Sequence, residues 1–94
     1  MIKYKVEVTE AFTSKLLIII DQIKQDRPNV ARKIRKEILL KIKSLQEMPL
    51  RNRQSVYFNN ENIRDLIHKG FTIVYEIQER KVVVFSILKH QLEP

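Results

Sequence analysis

The stretch that decides the fold is Ile63-Arg64-Asp65-Leu66-Ile67-His68-Lys69-Gly70-Phe71-Thr72-Ile73-Val74-Tyr75-Glu76-Ile77, followed after four polar residues by Val82-Val83-Val84-Phe85-Ser86-Ile87-Leu88-Lys89-His90. Its three apolar, β-branched runs are typical of three consecutive antiparallel strands. The first connection, His68-Lys69-Gly70, holds the one glycine of the sequence, where a hairpin bulge requires positive φ. The second connection, Gln78-Glu79-Arg80-Lys81, is short enough for another hairpin. We therefore expect strand pairing that is local in sequence.

Upstream of this stretch the sequence predicts one more strand and two helices. Lys3–Val8 alternates polar with apolar residues, which indicates a strand that joins the sheet. Thr9 can cap the first helix, whose inward stripe consists of Phe12, Leu16, Ile19 and Ile23. Asp26-Arg27-Pro28 interrupts the helix, because proline excludes helical backbone at its predecessor and favours a new helix start. The second helix ends near Pro49, and its inward stripe consists of Ala31, Ile34, Ile38, Ile42 and Leu45.

These elements predict an α+β fold in which a helical hairpin covers one face of the sheet. Residues 50–62 are interpreted as a loop around a possible short strand at Val56-Tyr57-Phe58. The last strand is apolar on both faces from Val82 to Phe85, as expected of a strand inside the sheet. We expect one domain over residues 1–94, with an N-terminal strand and two antiparallel helices on a twisted, mostly antiparallel sheet of four or five strands.

Composition narrows the classes of function. Eighteen Lys and Arg against eleven Asp and Glu give a net charge of +7, which favours polyanionic or acidic partners. The absence of cysteine excludes disulfides and thiolate metal sites and suits a reducing cytosol, so we expect a cytoplasmic protein. The longest apolar run, Leu16–Ile20, is too short for a membrane span, and we expect no membrane association.

Both helices offer surfaces for a partner. Residues 27–43 hold seven basic residues and one acid, Glu37, and this face either is simply solvated or contacts a polyanion or an acidic protein. Leu17, Ile18 and Ile20 widen the apolar stripe of the first helix. That helix is therefore either wedged between the sheet and the second helix, the reading we favour, or partly in contact with another chain.

In the order and spacing of these parts, the chain resembles the RelE/ParE family of toxins from bacterial type II toxin–antitoxin pairs. The likeness covers nearly the whole chain and includes the Gly70-Phe71-Thr72-Ile73-Val74-Tyr75 strand. It implies neutralisation by a small cognate antitoxin, and operator DNA binding only through the antitoxin complex. It implies no cofactor. The expected antitoxin-binding residues are Leu17, Ile18, Ile20, Arg32, Lys36 and Lys43.

The resemblance implies two alternative targets, DNA gyrase for ParE-like members and ribosome-bound mRNA for RelE-like nucleases. Nuclease members commonly carry an arginine directly after the aromatic residue of the glycine–aromatic strand and a tyrosine in the C-terminal tail. Here Thr72 holds the first position and the tail Gln91-Leu92-Glu93-Pro94 has no tyrosine. The missing groups favour a gyrase-blocking binder over a metal-free mRNA endoribonuclease. A third alternative is a degenerate, non-toxic binding module or co-repressor.

Some candidate site residues remain. His90, at the family's recurrent histidine position, either serves as a catalytic acid or base or only hydrogen-bonds a backbone carbonyl. Arg64 forms either an ion pair, with Glu76 for example, or a contact to phosphate or an antitoxin carboxylate. His68 is expected to be solvated. Two distant histidines predict no metal site. The full set of expected target- or phosphate-binding residues is Arg51, Arg53, Arg64, His68, Lys69 and Lys89.

Overall fold

The computed structural model describes residues 3–89 and confirms the predicted fold class. The elements in chain order are β1 (Lys5–Val8), α1 (Glu10–Asp26), α2 (Pro28–Ser44), a 3₁₀ turn (Pro49–Arg51), β2 (Arg53–Gln54), β3 (Ile63–His68), β4 (Phe71–Gln78) and β5 (Lys81–Lys89). The strands form one sheet in the order β1-β5-β4-β3-β2. Only the β1–β5 pair is parallel among these neighbours. β1 thus joins the sheet, and β5 lies inside it, as the sequence predicted.

The helical hairpin forms for the local reasons read from the sequence. The Thr9 side chain accepts a hydrogen bond of 3.1 Å from the N–H of Phe12 and so caps α1. Arg27 is the single residue between the helices, and Pro28 occupies the first turn of α2, where its missing N–H has no helical partner to lose. The connection is therefore tight, and α1 and α2 pack side by side.

One apolar layer lies between the helices and the sheet. The helices bury the predicted stripes there, with Ile34 and Ile23 only partly buried at its margin. From the sheet the buried apolar residues are Leu66, Phe71, Ile73, Tyr75, Val82, Val84 and Ile87. This layer fixes which face of the sheet the helices cover.

The two hairpin turns are tighter than the sequence predicted. His68 pairs directly with Phe71, so the first turn consists of Lys69 and Gly70 alone, with φ of 46° and 82°. Two consecutive residues with positive φ are typical of the two-residue turns that match strand twist. The predicted three-residue bulge at Gly70 is therefore wrong. The irregular pairing lies instead between β4 and β5, where the register shifts between Val74 and Tyr75.

Tyr75 ties the 3₁₀ turn to the sheet. Its hydroxyl donates to the carbonyl of Pro49 and accepts a 3.1 Å hydrogen bond from the side-chain amide of Asn52. The side chain is buried, and this burial raises the pKa of Tyr75 above its ordinary value. The hydroxyl therefore remains protonated and available as a donor at neutral pH.

We expect Tyr75→Phe to lower the free energy of unfolding by about 1–3 kcal/mol, because it leaves the Pro49 carbonyl and the Asn52 amide without their partner. Tyr57→Phe is the matched control, since Tyr57 is exposed and its hydroxyl has no hydrogen bond within residues 3–89, and it should change stability by less than about 0.5 kcal/mol. Chemical denaturation measures both. If Tyr75→Phe lowered the free energy of unfolding no more than Tyr57→Phe, the Tyr75 hydroxyl would not contribute to stability and only the packing of its ring would.

Candidate functional site

The face of β3 and β4 opposite the helices, here called the helix-free face, is largely covered. It carries Asp65, Thr72 and Val74, each at most 2% exposed. Residues 55–62 cross it: the N–H of Val56 donates to Asp65 Oδ2 at 3.1 Å, and the Phe58 ring contacts Phe85 edge to face at 5.7 Å. The short strand predicted at residues 56–58 is therefore wrong, because β2 is Arg53–Gln54 and residues 56–58 form a covering loop.

Among residues 3–89, the helix-free face has no cluster of cations. Its residues from β3 and β4 alternate with the core residues along each strand and are Ile63, Asp65, Ile67, Thr72, Val74 and Glu76. Arg53 reaches this face from β2, where its Nη2 lies 3.2 Å from the buried Asp65 Oδ2. A charge-assisted contact to a buried carboxylate holds the guanidinium near the sheet. Within the described residues, Asp65 Oδ1 has no hydrogen-bond partner.

Arg64 lies on the other side of β3, away from the helix-free face. Its Nε donates to the carbonyl of Glu61 at 2.9 Å, and its Nη1 donates to the carbonyl of Asn52 at 3.0 Å. Of the two alternatives for Arg64, the ion pair with Glu76 is not formed within residues 3–89, because two backbone carbonyls accept from the guanidinium instead. Arg64 thus holds the carbonyls of Asn52 and Glu61, which precede and follow β2 in the chain, close to β3.

His68 and Lys69 contact α2. His68 Nε2 lies 2.9 Å from Glu37 Oε1, and Lys69 Nζ lies 3.0 Å from the same oxygen. The His68 side chain is only 12% exposed, so the expectation of a solvated histidine is wrong. The hydrogen bonds from His68 and Lys69 hold the pKa of Glu37 below its ordinary value. Glu37, the one acid of the basic segment 27–43, therefore connects α2 to the β3–β4 turn.

The remaining target-binding candidates do not converge on one place. Arg51 is exposed at the end of the 3₁₀ turn, and Lys89 is exposed at the end of β5, opposite Phe71. His90 lies outside the described residues. Within residues 3–89 no group of three His, Cys, Asp or Glu side chains could hold a metal ion. In the same range, no helix is both long and apolar enough to cross a membrane.

The outward face of α2 presents charge and apolar area together. Arg32, Lys36 and Lys43 are exposed and form no ion pair within the described part of the chain. Leu39 and Leu40 lie among them, at 41% and 58% exposed. Lys36 and Lys43 are three or four residues from both leucines, the spacing of neighbours on a helix surface. We call these five residues the outer α2 surface.

Sequence reasoning missed the two leucines, although a signal was present. Leu40 is two residues from both Ile38 and Ile42, which places it about 160–200° around the helix from the buried stripe. An apolar side chain opposite the buried stripe of an otherwise charged helix indicates a contact with another molecule.

The apolar residues of α1 divide between core and solvent. Ile20 is partly buried against the core, whereas Leu17 and Ile18 are 57% and 60% exposed. The reading that α1 is wedged between two layers is therefore wrong for Leu17 and Ile18. Both helices thus expose large apolar side chains.

Comparisons with known proteins agree with this fold. A family model described as the ParE toxin of the type II toxin–antitoxin system parDE matches residues 6–93. Among solved structures, the chain is similar to a chain of the chromosomal ParDE system from P. aeruginosa, with TM-score 0.77 and 16% identity over 95% of this chain and 98% of that one. It is also similar to a chain of the toxin–antitoxin complex RelBE2 from Mycobacterium tuberculosis, with TM-score 0.63 and 15% identity over 96% and 94%. No curated protein matches significantly. The resemblance found in the sequence is confirmed.

We expect the stabilisation by Glu37 to depend on pH. Because its folded-state pKa lies below the ordinary 4.5, the ionised carboxylate stabilises the fold above that pH, and this stabilisation is lost as the pH falls through the folded-state pKa. Glu37→Gln should therefore be less stable than the unaltered chain at about pH 7, and the difference should shrink by about pH 3.5. Chemical denaturation at both pH values measures it.

The control for this measurement is Glu47→Gln. Glu47 is exposed and its carboxylate forms no ion pair within residues 3–89. Its stability difference should be small at both pH values. A Glu37→Gln difference that stays constant with pH would contradict the assigned role of the carboxylate charge.

Proposed function

The chain belongs to the ParE toxin family of type II toxin–antitoxin systems, and we propose that it acts as a ParE-like toxin that blocks DNA gyrase by binding and catalyses no reaction itself. In this proposal a small antitoxin neutralises it in the cytoplasm, and residues 1–94 work as one toxin domain. Operator DNA is bound only by the complex with the antitoxin. Gyrase is the expected target because the resemblance to ParE-like members implies it.

The observation that carries the choice of a binder over a nuclease is the charge of the helix-free face. Cleavage of RNA by a metal-free enzyme needs cations to stabilise the negative charge that develops on the phosphate. Thr72 occupies the position where nuclease members carry an arginine, and it is buried. The neighbouring Asp65 adds negative charge, and it engages Arg53. This arrangement supports recognition without phosphate chemistry.

The antitoxin contact is proposed for the exposed surfaces of the two helices. The outer α2 surface offers three cations that form no ion pair within residues 3–89, and they surround Leu39 and Leu40. α1 adds Leu17 and Ile18. An acidic amphipathic segment matches both properties, because its apolar side chains cover the leucines while its carboxylates meet the cations. Ile20 contributes from the margin of the core. The alternative, a basic face that is simply solvated, does not explain why Leu39 and Leu40 are exposed beside the cations.

We expect expression of the chain alone to arrest growth, and coexpression of the product of the neighbouring small open reading frame to relieve the arrest. Extracts or purified toxin should inhibit gyrase supercoiling, and mRNA 5′ ends should stay unchanged soon after induction. New codon-phased mRNA ends with normal supercoiling would replace the binder with the RelE-like nuclease. No growth defect at all would favour the degenerate co-repressor.

We expect Leu40→Glu to weaken antitoxin binding at least about tenfold, because a leucine buried at an interface contributes about 1.5–3 kcal/mol and the new carboxylate would face acidic residues. Leu50→Glu is the matched control, since Leu40 and Leu50 are 58% and 60% exposed but Leu50 lies in the 3₁₀ turn. Calorimetric titration of the purified antitoxin into each variant measures this. Equal affinities of both variants would remove the outer α2 surface from the interface.

A further inference from the structure

A small cleft opens at the edge of the sheet where β2 ends. It has a volume of about 80 Å³ and lies between the last turn of α2, the 3₁₀ turn and β3. The polar residues that line it are Lys41, Ser44, Arg51 and Asn52, and Ile67 lines it from β3. The cleft therefore joins charged side chains to a strand edge.

The peptide groups of Ile67 point toward this edge. The carbonyl of Asn62 accepts from the N–H of Ile77 in β4, whereas the carbonyl of Ile63 accepts from the N–H of Ser55 on the β2 side. Peptide groups alternate along a strand, so those of Ile67 point the same way as those of Ile63, away from β4. β2 pairs only with Arg64 and Asp65. No strand within the described residues covers Ile67 on that side.

The charge of the cleft is positive. Lys41 and Arg51 are exposed, and neither forms an ion pair within residues 3–89. Lys41 lies in the last turn of α2, where the carbonyl ends of the helix carry partial negative charge. The two positive charges of Lys41 and Arg51 are larger than this partial negative charge. The cleft therefore favours an anionic group of the size of a carboxylate.

We propose that this cleft binds an acidic side chain of an extended segment from a partner protein, and that this segment lies along β3 and hydrogen-bonds the peptide group of Ile67. A strand added to a free sheet edge gains its affinity from main-chain hydrogen bonds and its specificity from side-chain pockets. Lys41 and Arg51 supply that pocket for a carboxylate. The site needs no assumption about gyrase or about the outer α2 surface.

The surroundings favour a protein over a nucleic acid. Two exposed apolar side chains line the cleft, Met48 and Ile67, each 53% exposed. A nucleic acid strand requires a track of cations that follows successive phosphates. In the described part of the chain, the helix-free face beside the cleft offers one cation, Arg53 from β2, and Asp65 already holds it. A mixed acidic and apolar peptide matches the cleft better.

The test is a titration of the ¹⁵N-labelled full chain with the extended peptide N-acetyl-Val-Glu-Val-amide, followed by backbone NMR. Valine favours extended backbone, and glutamate supplies the carboxylate. We expect shifts of the Ile67 and Arg51 amide resonances, and at least about fivefold weaker binding of the Val-Gln-Val peptide. Lys41→Gln should weaken binding of the acidic peptide by at least about fivefold.

Lys24→Gln is the matched control. Lys24 is an exposed lysine in the last turn of α1, as Lys41 is in α2, but it does not line the cleft. Its affinity for the peptide should stay within about twofold of the unaltered chain. Equal weakening by Lys24→Gln and Lys41→Gln would reduce the effect to net charge and overturn the proposal. Shifts of the same amides by an eight-nucleotide oligothymidylate at lower concentration than by the peptide would also overturn it, in favour of a nucleic acid site.

Discussion

The constraint on which the rest of the structure depends is that β4 is covered on both faces. Its residues Phe71–Tyr75 are all buried, although alternate residues point to opposite sides of the sheet. An antiparallel sheet commonly leaves one face to water. Here the helices cover one face with an apolar layer, and residues 55–62 cover part of the other. The long β2–β3 connection therefore covers part of the helix-free face, and it limits which part of that face a partner can reach.

Burial of the helix-free face has an electrostatic consequence. Asp65 is enclosed there as a carboxylate, and it takes its hydrogen bonds from Arg53 and from the N–H of Val56. A buried charge needs such partners because desolvation is otherwise costly. The same contacts fix the loop over the sheet and restrain Arg53. Within residues 3–89, this face therefore brings together no cluster of cations of the kind that stabilises a phosphate.

The acid on α2 shows how tertiary contacts redistribute charge. Glu37 is the one acidic residue in the basic segment 27–43, and it contacts His68 and Lys69 across the hairpin turn. Its carboxylate is thus withdrawn from the helix surface, and the exposed lysines and arginines there stay unpaired within the described residues. The positive surface of α2 therefore results from the contact of Glu37 with the β3–β4 turn as well as from the composition of the helix.

The sequence alone determined the class of fold, the strand order of the C-terminal meander and the inward stripes of both helices, because periodicity, a single proline break and short connections are local properties. The tertiary structure decided the roles of Glu37, Arg64 and His68, whose partners lie on other elements or loops. It also decided the exposure of Leu17 and Ile18, because an apolar stripe does not reveal how many faces of a helix find a neighbour. Long-range partners depend on how elements meet in space, and spacing along the chain carries no direct record of that.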